Sequence, residues 1–237
     1  MYKAFINESE VFAVNENLTY EVVKVGDLEN KVVIVDNFYK NPELVRDLAL
    51  AIPPTTNERI LTNLPTGKTS GRISAFYLLD ELGYSYDKII REVWPDICLQ
   101  YEPNYFFESF KRATFMINVM TSENLPPRVP HTDFPDPRVF ASAIYLNKPE
   151  ECAGGTGFYS FGGSCIGRKC PSTIDVAEKI KPDHFVVDDH GDWQLEYVAE
   201  EKWNRMIIYS QALYHTPYIK PGMFTGDTYR LNQQFFI

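Results

Sequence analysis

From about residue 105 to its end the chain is written largely in short β-prone runs: Phe106–Phe110, Thr114–Met120, Val139–Leu146, Thr156–Phe161, Phe185–Val187, Arg205–Tyr209 and Leu231–Phe236. Most are separated by Gly, Pro, Asn or Asp, residues that end strands and make turns. So many short strands bury their apolar sides by stacking two sheets or closing one upon itself, and the rhythm predicts a sandwich or jelly roll. The first 104 residues read differently. Val32-Val33-Ile34-Val35 is a β-branched run stopped by Asp36-Asn37. Asn41-Pro42-Glu43 then opens a helix with an asparagine cap and a proline in its first turn, and Leu44, Val45, Leu48, Ala49 and Ala51 follow at roughly helical spacing. A second helix is predicted over Leu78–Cys98, with Pro95 near its end. Between the two, residues 53–73 are rich in Pro, Thr, Asn and Gly and read as a long surface loop, a kind that often borders active sites.

A chain of 237 residues has room for one large β-rich domain or two small ones. No internal repeat and no low-complexity linker divides it, so residues 1–237 read as a single domain. The expected fold is mostly β with flanking helices: an N-terminal α/β buttress (1–104) supplies a helical layer against a double-stranded β-helix, or jelly-roll, core (105–237). With 44% hydrophobic residues and 14% aromatics the chain can build a substantial core. Lys and Arg number 23 against 32 Asp and Glu, a formal charge of −9, and no basic run offers a face to nucleic-acid phosphates. Met1 to Glu8 lacks the apolar stretch and small-residue cleavage site of a secretory leader, and no segment reaches the ~20 apolar residues that cross a bilayer. Cys98, Cys152, Cys165 and Cys170 are sparse and read as reduced thiols. The expectation is a cytoplasmic protein with neither membrane nor nucleic acid as partner.

His131-Thr132-Asp133 puts an imidazole and a carboxylate two positions apart, so that on a strand or its end both project to one side. A second histidine, His215, comes 84 residues later, enough chain for about five strands and their connections. Two imidazoles and one carboxylate can occupy one face of an octahedral iron(II) and leave three positions open. Arg230, 15 residues beyond His215, could clamp a carboxylate of a co-substrate. A His-x-Asp by itself is more often a loop histidine beside a solvated aspartate. The order His-x-Asp, His, Arg is what points to 2-oxoglutarate/iron(II) oxygenase chemistry. His190-Gly191-Asp192 competes, but it lies only 25 residues before His215, too few for the intervening strands, and Asp188–Asp192 reads as an acidic turn. Cys165, Cys170, His184 and His190 come close to zinc-finger spacing, yet Pro182 sits where the histidine-bearing helix would run, so the spacing reads as chance.

These residues sit inside a longer string of motifs: Pro130-His131-Thr132-Asp133, Ala143-Ile144-Tyr145-Leu146-Asn147, Gly154-Gly155-Thr156-Gly157-Phe158-Tyr159, Asn204-Arg205-Met206-Ile207-Ile208-Tyr209, Leu213-Tyr214-His215 and Tyr229-Arg230-Leu231-Asn232. In this order they resemble the prolyl-4-hydroxylase-like branch of the 2-oxoglutarate/iron(II) oxygenases. A bacterial and phage subgroup with Pro-His-x-Asp and Gly-Gly-Thr-x-Phe-Tyr is the nearer likeness, and Val33–Phe38 is similar to the family's N-terminal entry. The resemblance runs from about residue 31 to 237. It implies His131, Asp133 and His215 as iron ligands and catalytic centre, and Arg230 as the partner of the distal carboxylate of 2-oxoglutarate. Asn232, Tyr145 and Asn118 become candidates for further contacts to that co-substrate; as residues, the same three serve equally to cap a barrel interior. Iron(II), 2-oxoglutarate and dioxygen follow as cofactor and co-substrates. So does hydroxylation of an unactivated C–H bond in an amino acid or peptide side chain, with release of succinate and carbon dioxide. Asp133 argues for hydroxylation over halogenation, since the family's halogenases have a small residue there, and leaves desaturation and cyclisation open. The stretch between Phe161 and Trp203 is longer than a minimal barrel needs and implies an insertion around residues 162–202. The alternative of a different class is a non-catalytic jelly-roll module with a vestigial metal site, which would have no need of an Arg230 anchor.

Overall fold

The described residues build two antiparallel sheets. The computed structural model describes residues 7–51, 70–74, 80–99, 115–120, 129–166, 187–225 and 228–236; of these, 8, 70–74, 80–82, 115–120 and 236 are described by their backbone course alone. After a short helix α1 (Glu8–Val11), the hairpin β1 (Tyr20–Val25) and β2 (Asn30–Val35) leads into α2 (Pro42–Ala51). Then come β3 (Ser70–Ser74), α3 (Asp80–Val93) and α4 (Pro95–Cys98). The remaining strands are β4 (Phe115–Met120), β5 (Phe140–Tyr145), β6 (Gly155–Phe161), β7 (Trp193–Glu200), β8 (Met206–Ser210), β9 (His215–Tyr218) and β10 (Arg230–Phe236). The large sheet runs β1-β2-β8-β5-β10-β4-β3 and the small one β7-β6-β9. Beyond β9, the small sheet gains an isolated antiparallel bridge between His131 and His215.

The central strands of the large sheet are covered on both faces, which is why their apolar runs are continuous rather than alternating. Side chains still alternate between the two faces. Val33 and Val35, Phe140 and Ile144, Met206 and Ile208, Leu231 and Phe235 share one core with Val45 and Ala49 of α2 and Tyr86, Ile89, Ile90 and Val93 of α3. Val32 and Ile34, Ala141, Ala143 and Tyr145, Ile207 and Tyr209 point the other way and meet Phe158 of β6 and Ala199 of β7. The helices therefore pack on one face of the large sheet and the small sheet covers the other. Each of the larger aliphatic or aromatic side chains contributes about 1.5–3 kcal/mol by leaving water. The face between the sheets is where Arg230 and Asn232 of β10 also point, since Leu231 and Phe235 occupy the helix side.

Several sequence expectations need adjusting. The helix expected over Leu78–Cys98 is broken at Trp94, because Pro95 has no N–H to donate and instead starts α4; Leu78 and Leu79 lie outside the described residues. The end of the expected loop 53–73 pairs as β3 with the open edge of β4, Gly71 opposite Asn118, a tertiary pairing that its composition does not announce. Within the stretch expected as an insertion, β7 pairs along the whole of β6, while residues 167–186 lie outside the described residues. So does the expected strand Phe106–Phe110. No helix among the described residues is long and apolar enough to cross a membrane.

Candidate metal centre

His215 opens β9 and His131 lies just ahead of β5, and the two backbones exchange both hydrogen bonds: His131 N donates to His215 O at 3.0 Å and His215 N to His131 O at 2.9 Å. That bridge sets the imidazoles side by side, ring centroids 4.7 Å apart. Two residues on, the amide of Asp133 donates to Gln211 O at 3.0 Å, and Gln211 is itself tied by its amide to Val139 O and by Nε2 to Phe140 O. The loop is thereby turned so that the Asp133 carboxylate faces both rings, Oδ1 3.6 Å from His131 Nε2 and Oδ2 3.3 Å from His215 Nε2. As a residue Asp133 is exposed, but its side chain is only 20% exposed; the accessible part is main chain. Among the described residues, His131, Asp133 and His215 form the one group of such side chains whose ligand atoms all lie within 4.8 Å.

Burial pushes the Asp133 carboxyl up, but His215 and then His131 outweigh it and hold the group well below the usual carboxylate range. Asp133 is an anion at any ordinary pH. His215 Nδ1 sits 2.9 Å from Leu213 O. A carbonyl only accepts, so Nδ1 carries a hydrogen, and Nε2 is the ring nitrogen turned to the cluster and available to a metal ion. Across the inter-sheet space the His215 ring meets Tyr209 at 4.8 Å, and Tyr209 meets Phe158 edge-on at 5.1 Å. Tyr209 is raised well above its ordinary pKa by burial first and by Asp133 second, with Arg230 opposing, so its hydroxyl lies within electrostatic reach of both.

Arg230 is 1% exposed. Its Nη2 donates to Gly155 O at 3.2 Å and to Thr156 Oγ1 at 3.4 Å, and its guanidinium lies 5.3 Å over the Tyr145 ring. Nε and Nη1 have no hydrogen-bond partner among the described residues, nor do either of the amide atoms of buried Asn232 two positions on. Buried donors left open in this way are costly unless something fills the space they face. Tyr145 is opposite Asn232 in register, but its hydroxyl is already committed, donating to Thr156 Oγ1 at 2.8 Å. Asn118 pairs with Asn232 from β4; the contact expected of its side chain falls outside the described residues.

Sequence reasoning passed over two residues here. Glu201, with a fully buried side chain, has Oε2 3.7 Å from Arg230 Nε. Tyr209 was legible only as a core position of a strand. His190-Gly191-Asp192 forms a tight turn in which His190 and Trp193 exchange backbone hydrogen bonds and Gly191 takes φ 60°. Cys98, Cys152 and Cys165 are free thiols; Cys170 and His184 lie outside the described residues.

Residues 108–230 match a family whose description reads "Family of unknown function (DUF6445)". The chain belongs to the DUF6445 family. The DUF6445 match takes in His131, Asp133 and His215 and ends on Arg230. No curated protein matches. Among solved structures, this DUF6445 chain is similar to EvdMO1 (13% identity, TM-score 0.34, 52% of this chain), where it spans only 26% of that protein's length. It is similar to a Pseudomonas putida prolyl-4-hydroxylase at 12% identity and TM-score 0.39, covering 88% of this chain and 93% of the other. It is also similar to HygX from Streptomyces hygroscopicus with nickel and 2-oxoglutarate bound, at 13% identity and TM-score 0.42, covering 90% and 82%.

Proposed function

We propose that the protein is a 2-oxoglutarate- and iron(II)-dependent oxygenase that hydroxylates an unactivated C–H bond in an amino acid or peptide side chain. The observation that carries this reading is the convergence of His131, Asp133 and His215 on one point, within 4.8 Å, beside the inter-sheet space into which Arg230 points. The donor set fits a ferrous ion. Two neutral imidazole nitrogens and one carboxylate would carry a charge of −1, and cis ligands on an octahedral ion of this size stand about 3 Å apart; the carboxylate–imidazole separations of 3.3 and 3.6 Å approach that, and all three ligand atoms lie within 4.8 Å. Strands β8-β5-β10-β4 and β7-β6-β9 with the His131 bridge read as the two layers of a double-stranded β-helix, with residues 1–104 as its buttress and an insertion between β6 and β7.

In this reading each side chain has a distinct task. His131, Asp133 and His215 hold the iron, and the Leu213 carbonyl keeps the His215 tautomer that can bind it. Arg230 offers its open Nε and Nη1 to the distal carboxylate of 2-oxoglutarate, with Asn232 as a neutral donor two residues along. Tyr145, buried beneath the guanidinium, excludes water and supports the cation with its ring. Phe134, half exposed directly after Asp133, offers an apolar wall to a substrate. Iron(II) with 2-oxoglutarate and dioxygen supplies the oxidising power, at the expense of 2-oxoglutarate, which leaves as succinate and carbon dioxide.

The test is an anaerobic titration with iron(II) followed by 2-oxoglutarate, watched for the weak visible charge-transfer band of the chelate. The band is expected in the wild type, absent in His131→Ala, and reached only at far higher 2-oxoglutarate in Arg230→Ala. A protein that binds no iron would sink the proposal, and one that binds iron tightly without a band would belong to another class of metalloprotein.

A further inference from the structure

Glu201 is a carboxylate buried against the arginine that the reading above gives to the co-substrate. Its backbone N donates to Gly154 O at 3.0 Å, which fixes it beside the Gly154-Gly155 turn where Arg230 also bonds. Oε2 lies 3.7 Å from Arg230 Nε: close enough for an ion pair, too far for a hydrogen bond. Side-chain exposure is 1% for the arginine and 0% for the glutamate. Neither glutamate oxygen has a hydrogen-bond donor among the described residues. One buried cation is thus flanked by a resident carboxylate and by open N–H groups that suit a second one. Two carboxylates sharing a desolvated site do not both stay ionised.

We infer that Glu201 is a positioning residue for Arg230 that couples the seating of the 2-oxoglutarate distal carboxylate to uptake of one proton from solvent by the Glu201 carboxylate. The inference rests on the co-substrate reading given above. Without a ligand, Glu201 ionises only above about pH 8, where it holds the guanidinium and neutralises it. When the ligand's carboxylate takes that charge, Glu201 becomes the neutral acid and can donate a hydrogen bond.

The groups facing Glu201 support this. Burial pushes its pKa up to about 8, Arg230 opposing and Glu151 reinforcing. Glu151, in the turn between β5 and β6, is itself paired with Arg46 at 2.9 Å. Tyr145 on β5 is raised from its ordinary value chiefly by burial, and the Cys152 thiol is pushed by burial to about 11, so both stay neutral near pH 8. Among the described residues, Glu201 is the group around Arg230 left to titrate there.

The experiment is calorimetric titration of 2-oxoglutarate into the manganese(II)-loaded protein at pH 7, 8 and 9, in buffers of different ionisation enthalpy. The wild type is expected to bind about tenfold more weakly at pH 9 than at pH 7, with proton uptake rising towards one per ligand at pH 9. Glu201→Gln, isosteric and neutral, should bind equally at all three values and take up no proton. The wild-type buffer series reads the proton without any variant. Binding with no proton uptake, or with the same pH profile in both proteins, overturns this inference and leaves the co-substrate assignment standing. No binding of 2-oxoglutarate at any pH overturns that assignment, and the inference with it.

Discussion

Asp36 illustrates how one side chain at the end of a strand can be read for its energetics. Arg205 grips it from two nitrogens, Nε at 2.6 Å and Nη2 at 3.1 Å, and Lys202 adds a third contact at 2.9 Å. The hydrogen bond from Arg205, more than any other cause, holds the carboxyl at about 2. A carboxylate depressed in the folded state stabilises fully above its ordinary value of 3.8 and loses that contribution as acid carries it down through about 2. The side chain is 35% exposed, and solvent screening leaves about 1 kcal/mol. Asp36→Asn should therefore unfold at lower urea than the wild type at pH 6, and the gap should shrink by roughly half at pH 3. Residues of this kind are hard to find in a bare sequence. Glu201 is one of 32 acidic residues, and nothing in Glu200-Glu201 says which is turned inward. His131, Asp133, His215 and Arg230 stand out because their chemistry is scarce and their order unusual; Glu201 and Tyr209 matter through what surrounds them, which only the fold supplies.

At the scale of elements, the turn before β6 is the most constrained feature. Gly154 takes φ 69° and Gly155 φ 147°, conformations that L side chains rarely adopt. A Cβ on Gly155 would also run into the Ala199 carbonyl and the Glu200 backbone across the sheet, whereas one on Gly162, at φ 55°, would meet open space. Gly155→Ala should cost more than the ~1–3 kcal/mol of backbone strain alone, and Gly162→Ala no more than that; thermal melts of the two variants make the comparison. Loss of the Gly155 turn should also disturb Arg230, which bonds its carbonyl. Of the elements, β2, β4, β5, β6, β8, β10 and α2 are legible as apolar runs or helical spacing with clear stops. β7 carries a plain alternation in sequence at Trp193, Leu195, Tyr197 and Ala199 and was open to discovery by that signal, though a bulge opposite Phe158 and Tyr159 turns Trp193 and Leu195 to one face and Tyr197 and Ala199 to the other. β9 was not: His215-Thr216-Pro217-Tyr218 is four residues long, contains a proline, and is a strand only because β6 lies beside it.

For the molecule as a whole, the ligand cluster predicts a stability that depends on metal. Manganese(II) at a hundredfold excess over its dissociation constant should add about 2.7 kcal/mol, which for a chain of this size is a rise of roughly 5–10 °C in melting temperature. The shift should vanish in His131→Ala and reverse with a chelator, as scanning calorimetry would register. The architecture behind it, helices against one face of a large sheet and a small sheet against the other, follows from strands apolar on both sides, a pattern visible in Val32–Val35 and Phe140–Tyr145. Register was the part beyond reach, because it depends on pairings between positions far apart. The bridge between His131 and His215 is such a pairing. Bringing together two points 84 residues apart costs a flexible chain on the order of 4 kcal/mol of entropy. Folding absorbs that cost through the packing of the sheets, and two main-chain hydrogen bonds that involve neither imidazole then fix the bridge. On the proposed reading an arriving ion has only side chains left to order, and a variant stripped of either ring should still hold the gap in which that ion would sit.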